Sequence, residues 1–165
     1  LRSFLKERVS GGLKFHHEFR VVLADCPNAC SRPQIADMGI IGAVKPALDP
    51  GACTGCGLCK EACAENAVST DPESALPVID SDSCLYCGAC IRACPEKALG
   101  DAETGYRVLL GGRLGRHPRL GMEVPGIHSQ DEVLEMAEQC LAFYKTHATT
   151  GQRFSHLIKS TDQVV

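Results

Sequence analysis

The spacing of the cysteines constrains this chain more than any other feature, because eight of its eleven cysteines lie between residues 53 and 94. They form two copies of one pattern, C-x2-C-x2-C-x3-C, and the second copy begins 31 residues after the first. The copies also match outside the cysteines, for example Gly57 with Gly88 and Ala67 with Ala98. The segment is therefore a duplicated unit, and we expect each copy to fold as a strand, a loop and a short helix.

Three closely spaced cysteines followed by a fourth one helical turn later favour iron–sulfur ligation over structural zinc. Zinc sites also use paired C-x2-C motifs, but they do not need this third and fourth cysteine twice over. The spacing resembles that of bacterial two-cluster ferredoxins, in which the fourth cysteine of each run reaches across to the other [4Fe-4S] cube. The resemblance implies that the first cluster takes Cys53, Cys56, Cys59 and Cys94. It implies that the second cluster takes Cys84, Cys87, Cys90 and Cys63.

Small residues surround the predicted ligands, and they would let the backbone approach inorganic sulfide closely enough for N–H donors to stabilise the cluster charge. These residues are Gly55, Gly57, Ala62, Gly88, Ala89 and Ala93. One position departs from the ferredoxin pattern: Pro95 follows the last cysteine of the second copy, whereas Ala64 stands at the equivalent place in the first. This change weakens the signal that ends the short helix and removes no ligand.

The formal net charge of −3 hides an uneven distribution along the chain. Residues 47–100 carry eight acidic side chains against three basic ones, whereas Tyr106 to Leu120 contains four arginines and no acidic residue. The arginine-rich stretch favours anion recognition. Nucleic acid is not an expected partner, because the chain is acidic overall and its basic stretch lacks interleaved aromatic residues. No membrane partner is expected from the short apolar runs, and the cluster-type cysteine spacing favours a reducing, cytoplasmic location.

A second cysteine motif follows a predicted buried strand at Phe19 to Ala24. Cys26 and Cys30 form a C-x3-C pair with a proline between them. From the spacing alone, metal binding remains open beside two alternatives, namely a pair of buried structural thiols and a strained redox pair. The adjacent His16 and His17 are expected in a solvated loop rather than at a metal.

The run from Cys26 to Gln34, C-P-N-A-C-S-R-P-Q, followed by D-M-G-I-I-G from Asp37, resembles the second cysteine motif of the sirohaem-dependent nitrite and sulfite reductases. The resemblance implies that Cys26 binds a [4Fe-4S] cluster and that Cys30 bridges this cluster to sirohaem iron. It also implies that Asn28 and Arg32 lie beside the macrocycle. The first cysteine pair of the family, C-x5-C, is absent from this sequence, so a third cluster would lack two ligands within the chain.

The family resemblance resumes after the ferredoxin-like segment, from Gly105 to Leu120. Its loop of glycines and cations is expected to contact the carboxylates of sirohaem, since arginine makes paired, charge-assisted bonds with such groups. The alternative is a solvated basic loop that binds no cofactor. The predicted contacts are Arg113, Arg116, His117 and Arg119.

The C-terminal part carries signals for a packing helix. Tyr106 to Leu110 is predicted to form a short buried strand, Pro125 and Gly126 to end that region, and Ser129 with Glu132 to cap a helix. The apolar face of this helix is predicted to contain Val133, Leu134, Ala137, Cys140, Leu141 and Tyr144. Cys140 is expected to be a buried, inert thiol. After Gly151, the residues Phe154, Leu157 and Ile158 predict a short docked turn.

Together these features predict an α+β chain: a partial sirohaem-reductase α/β domain, residues 1–46 and 101–165, with an inserted 2[4Fe-4S] ferredoxin-like domain, residues 47–100. The expected function is electron transfer through two [4Fe-4S] clusters to a sirohaem-coupled cluster of a sulfite or nitrite reductase. The alternative is a non-catalytic, ferredoxin-like carrier with an α/β extension. The expected partners are a redox donor protein or subunit, another reductase chain that completes the third cluster and sirohaem site, and sulfite or nitrite.

Overall fold

The computed structural model describes residues 19–149 and 151–165, so the predictions for His16 and His17 lie outside the described residues. The chain forms two compact units. The first, which we call the helical unit, comprises the described residues up to Ala24, Ala29–Ile41 and Tyr106–Val165. The second, which we call the cysteine unit, comprises Asp25–Asn28 and Gly42–Gly105.

The described residues contain six strands and four α-helices, numbered in chain order. The strands are β1 (Val21–Ala24), β2 (Met38–Leu48), β3 (Val68–Thr70), β4 (Pro77–Ile79), β5 (Leu99–Leu110) and β6 (Met122–His128). The helices are α1 (Leu58–Glu61), α2 (Ala89–Ala93), α3 (Gln130–His147) and α4 (Phe154–Leu157). Short 3-10 turns cover Pro33–Ile35 and Thr161–Gln163.

Four of the strands form one sheet in the order β1-β2-β5-β6. Within the helical unit, β1 runs parallel to β2 with Val21 opposite Met38, and β5 runs antiparallel to β6 with Leu110 opposite Met122. Asp37, just before β2, is buried and accepts a hydrogen bond from the backbone N–H of Arg20 at 3.1 Å. Burial raises the pKa of this carboxyl group. The Asp37 carboxylate therefore links the residue before β1 to the start of β2. It does so from a buried position, which acidic residues rarely occupy.

The core of the helical unit lies between the sheet and helix α3. The residues buried there come from β2, β5, β6, α3 and the C-terminal segment: Met38, Ile40, Val108, Leu110, Val124, Val133, Met136, Ala137, Cys140, Phe154 and Ile158. Phe154 is 1% exposed and its ring contacts Phe19, Phe143 and Tyr144. The docked turn predicted for the C-terminal segment is therefore present as α4.

Helix α3 begins at the predicted cap. The Ser129 side chain accepts a hydrogen bond from the Glu132 backbone N–H, and the Glu132 carboxylate accepts one from the Ser129 N–H at 2.7 Å. Cys140 is fully buried, and burial raises the pKa of its thiol to about 12, so it is protonated and unreactive at neutral pH. The predicted apolar face is correct at Val133, Ala137 and Leu141. Met136 belongs to it as well, whereas Leu134 and Tyr144 are only half-buried.

Three predicted elements differ from the structure, and the first is the buried strand predicted from Phe19, which begins at Val21 as β1 and buries only Ala24. Strand β5 begins at Leu99 rather than near Tyr106, because the exposed residues 100–104 continue the strand without a regular apolar alternation. Pro125 and Gly126 lie inside β6 rather than ending the region. They fall at a β-bulge, where the pairing shifts between Tyr106–His128 and Val108–Val124. Proline is tolerated there because β6 is an edge strand and a bulge needs no donor at that position.

The cysteine unit has a much smaller apolar core. Among its described residues, Val68, Cys90 and Leu99 form one buried cluster, with Leu48, Ile79 and Ile91 packed against it. Strands β3 and β4 pair antiparallel, with Val68 opposite Ile79. In the described ranges, no helix of either unit is long and apolar enough to cross a membrane.

Candidate metal centres

Two cavities of the cysteine unit divide the eight clustered cysteines between them. We call the first cavity cage 1 and the second cage 2. Cage 1 is lined by Cys53, Cys56, Cys59 and Cys94. Cage 2 is lined by Cys63, Cys84, Cys87 and Cys90. Each cavity therefore receives three thiols from one sequence copy and the fourth thiol from the other copy.

The two copies build this arrangement with the same local geometry. Helix α1 begins after Gly57 and helix α2 after Gly88, and both glycines are left-handed, with φ of 79° and 67°. A side chain at either position would carry a strain that glycine avoids. The fourth cysteine of each copy follows its helix, where the Cys63 and Cys94 backbone N–H groups each donate to a helix carbonyl at 3.2 Å. The short helices thus direct the fourth thiol away from the three that precede them.

The thiols of the two cages differ in exposure. Cys56 and Cys87 are exposed, whereas Cys90 is buried. Burial is the main cause of a raised pKa at Cys59 and Cys90, so both thiols are protonated at neutral pH. The backbone N–H of Tyr86 donates to Cys84 Sγ at 3.4 Å, which is the type of N–H···S contact that stabilises charge on a cluster ligand.

Each cavity brings four cysteine thiols together. Among the described residues, no group of three His, Cys, Asp or Glu side chains converges closely enough to hold one metal ion. A cubane cluster does not need such convergence, because its four cysteine thiolates bind a four-iron body rather than one ion. Four cysteines around one cavity are also the usual donor set of that cofactor.

The residues of the C-x3-C motif fall in both units. Cys26, Pro27 and Asn28 line cage 2 together with its four cysteines. Cys30 is exposed and follows Ala29, which is buried and left-handed with φ of 50°. Arg32 is exposed and also left-handed, and its backbone N–H donates to the Ala29 carbonyl at 2.8 Å. The motif is therefore a tightly turned loop rather than a pair of buried thiols.

The arginine loop of the helical unit is a short hairpin closed by backbone pairing of Arg113 with Arg119. The Arg119 guanidinium donates to the carbonyls of Gly111, Ser155 and Ile158, at 2.8 to 3.4 Å. Gly111 is required beside it, since a Cβ there would lie 2.5 Å from Ile158 Cγ2 and 2.7 Å from an Arg119 nitrogen. Arg119 therefore fixes the loop onto the C-terminal segment, and its contact with a cofactor stays a prediction.

The remaining cations of this loop share a cleft with two residues that sequence reasoning missed. Arg113, Arg116 and His117 line it, and Arg153 and His156 line its other side. Burial and four neighbouring cations lower the pKa of His156. None of the described residues that line this cleft is acidic. Arg153 and His156 are three residues apart in the segment that contains the buried Phe154. This spacing places them on neighbouring positions of one helical turn, and it is the sequence signal from which their proximity could have been predicted.

The chain matches a known family over nearly its whole length. Residues 7–162 fit the family model described as the nitrite and sulphite reductase 4Fe-4S domain. The chain belongs to this family. The family resemblance stated from the sequence is thereby confirmed, and membership supports an iron–sulfur cluster as its cofactor.

Two proteins similar to this chain are much longer than it. A coenzyme F420-dependent sulfite reductase of Methanocaldococcus jannaschii is 40% identical over 137 residues, which are 83% of this chain and 22% of the relative. One subunit of the anaerobic sulfite reductase of Salmonella typhimurium is 40% identical over 52 residues, which are 32% of this chain and 15% of that relative. The chain thus spans less than a quarter of either relative.

The fold is also similar to that of a solved structure. Dissimilatory sulfite reductase I superposes with a TM-score of 0.60 at 20% identity, covering 93% of this chain and 43% of the other. The predicted mixed α and β fold is confirmed by this likeness.

Proposed function

We propose that this chain is the iron–sulfur portion of a sirohaem-type sulfite or nitrite reductase, in which two [4Fe-4S] clusters pass electrons to a sirohaem-coupled cluster. The observation that carries the proposal is the division of eight cysteines between two cavities, four thiols to each. This division coincides with the ligand sets that the ferredoxin spacing implies. Family membership and the identity with a sulfite reductase support the reductase assignment.

The residues of both cages fit a cubane cofactor. Each cage offers four cysteine thiols, the usual donor set, and the left-handed Gly57 and Gly88 let a helix start directly beside it. When bound, such clusters supply reversible one-electron transfer. The chain itself would hold them, would shield them with Val68, Leu48 and Leu99, and would direct the Tyr86 backbone N–H towards the sulfur of Cys84. In this proposal, residues 47–100 form a ferredoxin domain inserted between residues 1–46 and 101–165.

The cationic cleft of the helical unit fits a carboxylated cofactor. We propose that Arg116 and His117, which are exposed on this cleft, contact carboxylates of sirohaem, and that Arg113 contributes its unused donors. Arg113 already donates to the carbonyls of His117 and Ser155, at 2.8 and 3.2 Å, which holds its guanidinium at the cleft. Asn28 and Arg32 are proposed contacts of the same cofactor on the basis of family resemblance.

The proposal assigns further roles to groups that other chains or segments would complete. Cys26 and Cys30 would supply two thiolates of a third cluster, and two more would come from elsewhere in the assembled reductase. A redox donor protein or subunit would deliver electrons to the acidic cysteine unit. The substrate of the whole enzyme would be sulfite or nitrite.

The first test is the iron content of two cysteine variants prepared without oxygen. Replacing Cys56 with Ser removes a proposed ligand of cage 1, so about four of about eight irons and the spectroscopic signal of one cluster are lost. Replacing Cys140 with Ser is the matched control, because this thiol is buried in the helical unit and belongs to neither cage. Iron and sulfide analysis with electron paramagnetic resonance measures both. We expect the Cys140 variant to keep its full iron content.

Other outcomes of this experiment would change the assignment. Unchanged iron in the Cys56 variant, or zinc in place of iron and sulfide, would refute the ligand sets. About eight irons without any macrocycle absorption, even after addition of the partner subunits, would favour the ferredoxin-like carrier over the reductase.

A further inference from the structure

The two cages match in their cysteines but differ in the charges that line them. Glu96 is the one charged side chain among the described residues that line cage 1. Cage 2 has its counterpart, Glu65, 31 residues earlier in the other copy, and it also has Arg92. Cage 2 is therefore lined by one acidic and one basic side chain, whereas cage 1 is lined by an acidic one alone.

This difference in charge arises because the two copies of the cysteine motif carry different residues at the position of Arg92. Its equivalent in the first copy is Glu61, which has the opposite charge and does not line cage 1. Arg92 is held in place, since its guanidinium donates to the carbonyl oxygen of the proposed ligand Cys87 at 3.1 Å. The same guanidinium lies 3.2 Å from the Cβ position of Gly88, at the start of α2.

A second asymmetry lies in the loop that carries the C-x3-C motif. Cys26, Pro27 and Asn28 line cage 2, and no residue of this loop is among the described residues that line cage 1. Asn28 brings a side-chain amide, which is a dipole with two N–H donors. Arg92 and Asn28 are therefore both groups that can stabilise negative charge at cage 2.

Reduction adds one negative charge to a cluster, and nearby positive charge stabilises that added charge. Net charge, hydrogen bonds to sulfur and solvent exposure are the protein's means of setting a cluster potential. A unit positive charge several ångströms away favours the addition of an electron, and a partly exposed protein site screens this attraction less than bulk water does. Arg92 and Asn28 would therefore favour the reduced state of a cofactor bound in cage 2.

Building on the proposed iron–sulfur function, we propose that the cluster held by cage 2 is the more readily reduced of the two and that Arg92 is the residue that sets the difference. The reducing equivalent then resides in the cage that Cys26 lines, on the side of the C-x3-C motif. Arg92 acts through its positive charge and does not ligate the cluster. The two clusters would therefore differ in how readily they are reduced, so that electrons would favour one cage, whereas two identical copies would show no such preference.

The experiment is a reductive titration of the anaerobically prepared chain, followed by electron paramagnetic resonance, with Arg92 replaced by Gln. We expect the higher-potential reduction step to become about tenfold less favourable, which is 59 mV for a one-electron couple, while the lower step stays in place. Replacing Arg92 with Lys keeps the charge and is expected to restore most of the wild-type value. Replacing Lys45 with Gln is the matched control, because it removes one positive charge from a residue of the same unit that lines neither cage.

The titration also assigns the affected step to a cage. In the Cys56→Ser background, only cage 2 keeps all four cysteines, so the remaining step is expected to shift with the Arg92→Gln change by the same amount. An unchanged titration in the Arg92→Gln variant, a shift of the lower step, or an equal shift in the Lys45→Gln variant would overturn the inference. A wild-type chain that shows no [4Fe-4S] signal at all would instead refute the proposed function, and this inference with it.

Discussion

The helical unit and the cysteine unit are stabilised by different means. Among the described residues, the helical unit buries eleven side chains in one core that joins its sheet to α3 and α4. The buried cluster of the cysteine unit has three members, and one of them is the proposed ligand Cys90. So small an apolar core rarely supports a fold by itself, and metal ligation commonly supplies the remainder. One chain thus combines a unit with a large packed core and a unit whose proposed clusters would supply the stability that its small core lacks.

The largest expected effect is a loss of structure in the cysteine unit, but not in the helical unit, when iron is removed. Anaerobic chelation should release the thiols of both cages and leave β3 and β4 with little to hold them, whereas α3 keeps its packed core. Hydrogen exchange measures this directly: the amides of Val68 and Ile79 should lose most of their protection, and those around Cys140 should keep theirs. Equal loss of protection in both units would show that the cofactor supports the whole chain.

The next largest effect acts on the helical unit alone. Replacing Phe154 with Ala removes a ring that is 1% exposed, which typically lowers the free energy of unfolding by about 3 to 5 kcal/mol. Urea unfolding followed by circular dichroism of α3 measures the loss. The control is Leu114→Ala, since Leu114 is 64% exposed and its removal should change stability by less than about 0.5 kcal/mol. Iron content that falls along with stability in the Phe154 variant would contradict the independence of the two units.

The smallest effect concerns the cap of α3 in the helical unit. Replacing Ser129 with Ala removes the hydrogen bond to the Glu132 N–H and should lower the free energy of unfolding by about 1 kcal/mol. Replacing Ser129 with Asp retains an acceptor at this position and should cost only a few tenths of that. Thermal unfolding of the two variants provides the measurement. Equal stability of both would mean that the capping box contributes little at this helix.

The sequence predicts most where a feature is local. The fixed spacing within each cysteine run determines which thiols share a helix and a turn, and the capping box at Ser129 and Glu132 is a contact between residues three apart. The short helices α1 and α2, the start of α3 and the docked segment at Phe154 are all present as predicted. Each depends on neighbours in sequence rather than on contacts made across the fold.

The sequence predicts least where the contacts are distant. The polar start of β5 is held by pairing within a sheet, which leaves no apolar pattern to read. Arg153 and His156 reach the cationic cleft through contacts with residues about 40 positions away, such as that between Arg113 and the Ser155 carbonyl. The same limit explains Pro125, which reads as a breaker until the bulge on the edge strand is known.

The depth at which Cys140 lies gives the chain an internal reference thiol. An alkylating reagent reacts with thiolate, so the buried side chain, with its pKa of about 12, should label only when α3 separates from the sheet. The proposed iron ligands should label as soon as their metal leaves. Mass spectrometry of a single sample would therefore show whether the cofactor is lost before the core of the helical unit opens, from the order in which the thiols are labelled.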